Sequence, residues 1–442
     1  MSSAAAIAPH IDISASPKPS TKRLQSVLFA GSLTLLLLAP LAFGAVEHWA
    51  IFSLQAGSML LFIFWAFRQA YVGELHLHRS SVFLPMAAFA ALVVCQLILR
   101  RTAYRAATVS ILLLYGSYAL LSFVMVQSLQ RRRHFKTLLG AFSCYGSLVA
   151  AFALVQGITS NDKLYWIRRP RMGGRIYGPY VNHNHYAGLM EMLIPFALVL
   201  FLSPRGQRRH KALAAIAATL MASTIFICGS RGGMFAFVVQ MSVLIALILS
   251  RRTTTKVAIT VAAFLLLSCT SLAWLGGGEL LRKVVKIPAE MQAELSGGTR
   301  LSIDRDCITM FLEKPFTGWG LGTFAIVYPH FRSFYTNLLI DKAHNDYLQL
   351  LVETGAIGGL VMLWFLLSLY RTGIKKLEHW PSNAEADVNL AALLAITGIL
   401  VHSFVDFNLQ IPANAALFFV LCAISGMPLH QRASRSPHHE HL

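Results

Sequence analysis

The sequence contains few charged residues, and acidic residues are especially scarce. Charged side chains make up 13% of the 442 residues, against roughly 25% in an ordinary soluble chain. Hydrophobic residues make up 56%. This balance excludes a water-soluble enzyme and predicts a membrane protein that is helical throughout.

Cysteine is also scarce, and its distribution excludes two classes of small module. There are six cysteines and no Cys-x-x-Cys pair. Five lie inside apolar runs, and Cys307 lies outside them without an evident partner. The sequence therefore predicts neither a disulfide scaffold nor a cysteine-based zinc module.

Basic residues are in excess, with 38 Lys and Arg against 19 Asp and Glu. In a soluble protein this excess would suggest nucleic acid as a partner. In a membrane protein much of it reflects topology. The sequence therefore predicts membrane lipids, and no nucleic acid, among the partners.

Apolar runs long enough to cross a bilayer recur along the chain, because a helix needs about 20 residues to do so. They predict an all-α polytopic bundle over residues 25–428, preceded by a disordered tail at 1–24 and followed by a tail at 429–442. The predicted spans are 25–45, 49–67, 82–99, 107–128, 137–157, 185–203, 212–229, 233–250, 257–275, 350–370, 389–405 and 411–428.

The positions of basic residues predict the orientation of these twelve spans. Most basic clusters outside the long loops fall on one side, which places both termini in the cytoplasm. Arg100, Arg101 and Arg105 violate the rule, because they lie between the third and fourth spans on the outer side. They either contact lipid headgroups or serve another purpose.

Two outer connections, 158–184 and 276–349, are longer than a hairpin needs and carry 13 of the 38 basic residues. Long translocated loops are exempt from the positive-inside rule, so an anionic ligand would explain this charge. Four arginines in the first loop are interleaved with glycine and proline. This pattern predicts an anion pocket, although binding to anionic headgroups is an alternative. They are Arg168, Arg169, Arg171 and Arg175.

The sixth span begins with Asn182-His183-Asn184-His185. These side chains either cap and hydrogen-bond the start of the helix or contact a ligand; a metal at His183 and His185 is the least favoured interpretation. Glu191 is predicted to face the bundle interior, because a carboxylate facing lipid is costly.

Three further positions predict chemistry at the outer face. Arg231, in Gly229-Ser-Arg-Gly-Gly233, separates two apolar runs and is costly there unless it meets water or an anion. The second loop contains Arg300 and ends at His344, which is predicted to lie on the helix face of Tyr347, Leu348 and Leu351. Asp341 is the predicted N-cap of this helix, and Gly355 a predicted break or bend. His344 is the candidate general base.

One other pair stands near the end of the eleventh span. His402 and Asp406 are four residues apart and are predicted to pair structurally on one helix face.

Five segments together resemble the O-antigen ligase family, within a superfamily that includes O-antigen polymerases and protein O-oligosaccharyltransferases. The resemblance covers roughly residues 175–410 and does not identify the acceptor. The segments are Gly178-Pro-Tyr-Val-Asn-His-Asn-His-Tyr-Ala-Gly188, Ser230-Arg-Gly-Gly233, Pro315-Phe-Thr-Gly-Trp-Gly-Leu-Gly-Thr-Phe324, Ala343-His-Asn-Asp-Tyr-Leu-Gln349 with Glu353-Thr-Gly355, and His402-Ser-Phe-Val-Asp406-Phe.

The resemblance implies a glycosyltransferase of the inner membrane with a GT-C-like helical fold and a large helical periplasmic loop. It implies transfer of a glycan from undecaprenyl diphosphate to lipid A-core on the periplasmic face, without metal or another cofactor. A single displacement in such a transfer would invert the anomeric carbon. Arg231 and His344 match the family's arginine and histidine, and Arg175 and Arg300 match basic loop positions less closely. Polymerisation and protein glycosylation are alternatives, and transport of a lipid-linked glycan is a less favoured one.

Overall fold

The described part of the chain consists of α-helices joined by short connections. The structure is a computed structural model that describes residues 19–73, 75, 77–169, 177–250, 299–337 and 339–428. The helices are α1 Pro19–Leu41, α2 His48–Val72, α3 Phe83–Ile98, α4 Arg105–Ser128, α5 Arg132–Thr159, α6 His183–Leu202, α7 Arg208–Cys228, α8 Arg231–Ser250, α9 Thr299–Glu313, α10 Phe324–Val327, α11 Asp346–Leu377, α12 Ala384–His402 and α13 Pro412–Ser425.

Eleven of the twelve predicted spans overlap one of these helices, and the predicted span 257–275 lies outside the described residues. Nine helices in the described ranges are long and apolar enough to cross a membrane, whereas α3 and α13 are apolar but shorter, with 16 and 14 residues. The prediction of a polytopic helical membrane protein is confirmed, and the count of twelve stays a prediction.

Helices α6 and α12 form the centre of the bundle and pack against each other. In each, 83% of the most apolar window is buried, against 22% in α2 and 33% in α11. A helix that is apolar on all faces is expected to be enclosed by other helices or lipid. Within the described part of the chain, the start of α6 and the end of α12 are therefore anchored by enclosed helices.

The connections fall at two ends of the bundle. One end, here called the site end, contains connections 42–47, 99–104, 229–230, 314–345 and 403–411. The opposite end is joined by Ser81 N–H donating to Gly426 O at 2.9 Å and by an ion pair between Arg205 and Asp387. Successive connections alternate between the two ends, as the predicted order of spans requires. Which end faces the cytoplasm stays a prediction.

A break in α11 accommodates the loop 314–323, here called the glycine loop. Gly355 has φ 66° and ψ −170°, and a Cβ there would collide with the backbone of Phe316. The freed backbone groups bind the loop: Ala356 N–H donates to Pro315 O at 2.7 Å, and Gly320 N–H donates to Glu353 O at 2.9 Å. The predicted break at Gly355 is confirmed, because only glycine tolerates this approach.

The Glu353 side chain secures the same loop from inside the bundle. It is buried and accepts hydrogen bonds from Gly322 N–H at 2.8 Å, Phe324 N–H at 3.2 Å and Gln349 Nε2 at 3.3 Å. The family-like motifs around Trp319 and Glu353 are thus parts of one structural contact.

We expect Glu353→Ala to lower the free energy of unfolding by at least about 2 kcal/mol, because two buried backbone N–H groups lose a carboxylate acceptor. A thermal shift measurement in detergent checks this. Glu313→Ala, at an exposed carboxylate at the end of α9, is the control and should leave the midpoint nearly unchanged. Equal midpoints for both variants would contradict the assigned role.

Candidate active site

The connection between α12 and α13, residues 403–411, is the structural centre of the candidate site and is here called the Asp406 loop. The start of α11 holds it: Ser403 Oγ donates to Asp346 Oδ2 at 2.9 Å, Leu409 N–H donates to the same oxygen at 3.1 Å, and Asp346 N–H donates to Ser403 O at 2.9 Å. Because Asp346 is buried and fixed in this way, His344, two residues earlier, is held close to the loop.

Asp406 lies between two histidines that come from distant parts of the chain. Its Oδ1 is 3.7 Å from His185 Nε2 and 4.0 Å from His344 Nδ1. Its Oδ2 accepts a hydrogen bond from Asn184 Nδ2 at 2.5 Å. The ring of Phe407 packs edge to face against both imidazoles, with centroid distances of 4.6 and 4.7 Å. One carboxylate and one phenyl ring therefore orient both imidazoles.

The electrostatics of this cluster keep Asp406 ionised and His344 neutral. Burial raises the pKa of Asp406, but the facing His185, the charge of His402 and the N–H of Phe407 together lower that pKa well below its usual range. Burial lowers the pKa of His344; the charge of Asp406 raises it, and Arg300 lowers it further. A neutral imidazole beside a carboxylate is suited to accept a proton.

The backbone of His344 is left-handed, with φ 56°. This corrects the prediction that His344 shares a helix face with Tyr347, because α11 begins only at Asp346. It also corrects the predicted N-cap at Asp341: Asn345 caps the helix by accepting hydrogen bonds from Tyr347 N–H and Leu348 N–H. A non-glycine residue in this region is uncommon and costs about 1–3 kcal/mol, a cost often found at functional sites.

Arg231 is the first residue of α8, and its surroundings explain the two glycines that follow it. A Cβ at Gly232 would lie 2.6 Å from the ring of His402, and one at Gly233 would lie 3.0 Å from Glu191 Oε1. The start of α8 therefore rests directly on these two buried side chains. Arg231 is exposed at the site end.

Glu191 and His402 form a buried pair, with Glu191 Oε1 2.8 Å from His402 Nδ1. The prediction that Glu191 faces the interior is confirmed. The predicted pairing of His402 with Asp406 is wrong in detail, because α12 ends at His402 and Asp406 lies in the following loop. The two residues therefore never share a helix face.

Arg300 reaches the same loop from α9. Its guanidinium donates to Val405 O at 3.1 Å. The side chain of Val405 in turn lies 2.9 Å from the position of a Cβ at Gly232, beside Arg231. The backbone around Arg231, the side chain of Arg300 and the ring of His344 therefore converge on the Asp406 loop.

The other predicted positions are distributed differently. Arg168 Nη1 lies 2.8 Å from Glu47 Oε1, and Arg168 Cζ lies 5.3 Å from the ring centroid of Phe43, so this side chain binds the α1–α2 connection. Arg169 is exposed. Arg171 and Arg175 lie outside the described residues. Substrate binding by these four arginines stays a prediction.

At the start of α6 the structure shows the predicted cap, and contact of Asn182 or His185 with a ligand stays a prediction. Asn182 is the N-cap residue, and its Oδ1 accepts from Asn184 N–H at 2.9 Å. His185 is buried and faces Asp406. Across the ranges that the structure describes, no group of three or more His, Cys, Asp and Glu side chains is arranged to hold a metal ion.

The sequence reasoning missed the central role of Asp406 and the Glu191–His402 pair. Both depend on contacts between residues more than 200 positions apart in the sequence, such as the contact between Asn184 and Asp406. The available signal was chemical: three ionisable residues, Glu191, His402 and Asp406, occur in or next to apolar spans, where charge is costly without partners.

Comparison with known protein families gives one match. The family model described as O-antigen ligase matches residues 188–363. This range includes Arg231, Arg300, His344 and the glycine loop, while the Asp406 loop follows it. No curated protein matches the chain. Over residues 188–363 the chain is similar to the O-antigen ligase family, as the sequence motifs predict.

Proposed function

We propose that the protein transfers a glycan from undecaprenyl diphosphate to lipid A-core at the periplasmic face of the inner membrane, with both termini in the cytoplasm. The family comprises ligase- and polymerase-type enzymes. The observation that carries the proposal is the position of His344 at a buried Asp406, on the same loop that Arg300 binds and that borders the Arg231 helix.

Arg231 and Arg300 bind the diphosphate of the donor in this proposal. A planar guanidinium can donate two parallel hydrogen bonds to phosphate oxygens, and it stays charged at any physiological pH. Arg175 is predicted to add a third cation. Exposed apolar side chains along α8, such as Phe235 and Val238, provide a surface for the prenyl chain beside Arg231.

His344 acts as the general base. Its Nδ1 is buried and faces Asp406, which leaves Nε2 to take the proton from the acceptor hydroxyl. The acceptor oxygen forms a bond to the anomeric carbon, and the bond from that carbon to the phosphate oxygen breaks. The electron pair leaves on undecaprenyl diphosphate, and this single displacement inverts the anomeric carbon.

Asp406 is a positioning residue that holds the His344 ring and stabilises the imidazolium. We expect Asp406→Asn to lower kcat about tenfold and to move the acidic limb of the pH–rate profile to lower pH. The direction follows because the charge of Asp406 raises the pKa of His344, and its loss lowers that pKa further.

The measurement is kcat/KM from about pH 4.5 to about pH 8, the range in which a histidine base titrates. Asp162→Asn, at an exposed aspartate in the 160–182 connection, is the control and should keep the wild-type profile. An unchanged acidic limb in Asp406→Asn would contradict the contact between Asp406 and His344.

The function itself is tested by reconstitution. Purified protein is mixed with a glycan on undecaprenyl diphosphate and with lipid A-core, with and without a metal chelator, and the products are identified by mass spectrometry. The proposal predicts one glycan on lipid A-core and no effect of the chelator. Ladders on the carrier would show a polymerase, and glycosylated protein would show an O-oligosaccharyltransferase.

A further inference from the structure

The arginines that violate the positive-inside rule lie at the site end, in or next to the connection 99–104, which is hydrogen-bonded to the glycine loop. Arg100, Arg101 and Arg105 are exposed, and the ion pairs among the described residues do not include them. Their connection is fastened to the glycine loop, because Ala103 N–H donates to Trp319 O at 2.7 Å. The structure therefore holds three cations at the site end without neutralising them.

Beside them an apolar groove runs between α3, α4, α11 and α13. The space between these helices, counted together with the open mouth of the groove, is about 1040 Å³. One end lies among Asp346, Leu409 and Gln410, where α11 meets the Asp406 loop, and the other reaches Pro85 near the start of α3. Between these ends the walls are apolar apart from Glu353, and five of the wall residues are aromatic. Among the wall residues are Phe89, Tyr115, Leu350, Phe365 and Phe419.

The arginines and the groove are adjacent. Leu321 lines the groove, and the preceding Gly320 packs so closely on Thr102 that a Cβ would collide with the threonine side chain. Thr102 directly follows Arg101. Cations at the site end of an apolar groove match a lipid with a phosphorylated headgroup and hydrocarbon chains, since each arginine attracts an anionic headgroup and each buried methylene favours the groove.

This surface lies on a different flank from Arg231. The groove helix α3 packs on α11, whereas α8 packs on α12. The paired helices α11 and α12, with His344 and the Asp406 loop at their ends, lie between the two flanks.

We infer that the groove and the three arginines bind the phosphorylated, acylated anchor of the acceptor lipid. This inference rests on the proposed function. The donor's diphosphate is bonded directly to the reacting carbon, so it must lie beside His344, at Arg231 and Arg300. The acceptor's phosphates lie on its lipid anchor, and the core sugars span the distance from that anchor to His344. The acceptor therefore enters from the α3–α4 flank.

The first test replaces all three arginines, Arg100→Gln, Arg101→Gln and Arg105→Gln, in the full-length enzyme. The KM for lipid A-core should rise at least about tenfold. Each arginine near a membrane surface strengthens the binding of anionic lipid by a factor on the order of ten or less, and three are removed together. The KM for the donor, and transfer to de-acylated, dephosphorylated core oligosaccharide, should stay unchanged. The matched control is Arg208→Gln, Arg209→Gln and Arg371→Gln, which removes three exposed cations from the opposite end.

The second test fills the groove. Gly116 lines it and has no atom within 4 Å of an added Cβ, so Gly116→Leu occupies lipid space and also favours the α4 helix. The KM for lipid A-core should rise at least threefold. Gly140→Leu is the matched control, since Gly140 lies in α5, outside the groove, and also has open space.

Native mass spectrometry gives a readout that does not require transfer. Bisphosphorylated lipid A should bind wild type at least fivefold more than the triple arginine variant, and dephosphorylated lipid A should bind both equally. Equal binding of bisphosphorylated lipid A, or an equal loss of activity toward the de-acylated acceptor, would overturn the inference. If wild type transfers no glycan to any acceptor, the proposed function fails, and the binding comparison still decides whether this surface binds phosphorylated lipid.

Discussion

His344→Ala is expected to reduce glycan transfer by about 10²–10⁴-fold, the range typical for loss of a general base. The imidazole is held against Asp406 and Phe407. His185 also packs edge to face on Phe407, but it is buried, whereas His344 is partly exposed. The loss should appear in kcat with little change in KM for the donor.

A second variant separates loss of the base from loss of backbone shape. His344 has a left-handed backbone, and asparagine tolerates that conformation. His344→Asn should therefore fold as wild type does and be as inactive as His344→Ala. His330→Ala, at an exposed histidine of the same loop region, is the control. Near wild-type turnover by His344→Asn would reject His344 as the base.

Arg231→Ala is expected to lower kcat/KM by about 10²–10³-fold, because a donor aimed at developing negative charge contributes roughly 2.7–4 kcal/mol. Arg231→Lys should recover only part of this loss, since lysine keeps the charge but lacks the planar pair of donors. Initial rates at varied donor concentration, with purified enzyme, provide the measurement.

Arg300 provides a check on whether the two cations share one phosphate group. The double variant Arg231→Ala, Arg300→Ala should lose less than the product of the single losses, because groups that act together are not additive. Arg305→Ala, one turn further along α9 and exposed, is the control and should keep most activity. Wild-type kcat/KM in Arg231→Ala would reject the diphosphate clamp.

Much of the fold is readable from the sequence, because crossing a membrane is a strong local constraint. Each span must be apolar over about 20 residues and must satisfy its own backbone hydrogen bonds. Eleven predicted spans accordingly coincide with helices. The positions of Gly355 and Glu191 followed from equally local rules, since a glycine breaks a helix and a buried carboxylate avoids lipid.

The ends of helices were harder to predict. Asp341 and Asn345 both suit an N-cap, and the choice depends on where the glycine loop meets α11. His344 was predicted within the helix for the same reason. Local patterns locate helix ends poorly when a loop from elsewhere supplies the backbone partners.

By itself the sequence determined the class of the protein, its spans, its family motifs and the residue types available for chemistry, because these depend on composition and local spacing. Only the tertiary structure decided the partners. Asp406 faces His185 and His344, Glu191 pairs with His402 beneath the start of the Arg231 helix, and Arg168 binds Glu47. The physical reason is that buried charges must be satisfied wherever packing brings opposite groups together, and that packing joins residues hundreds of positions apart.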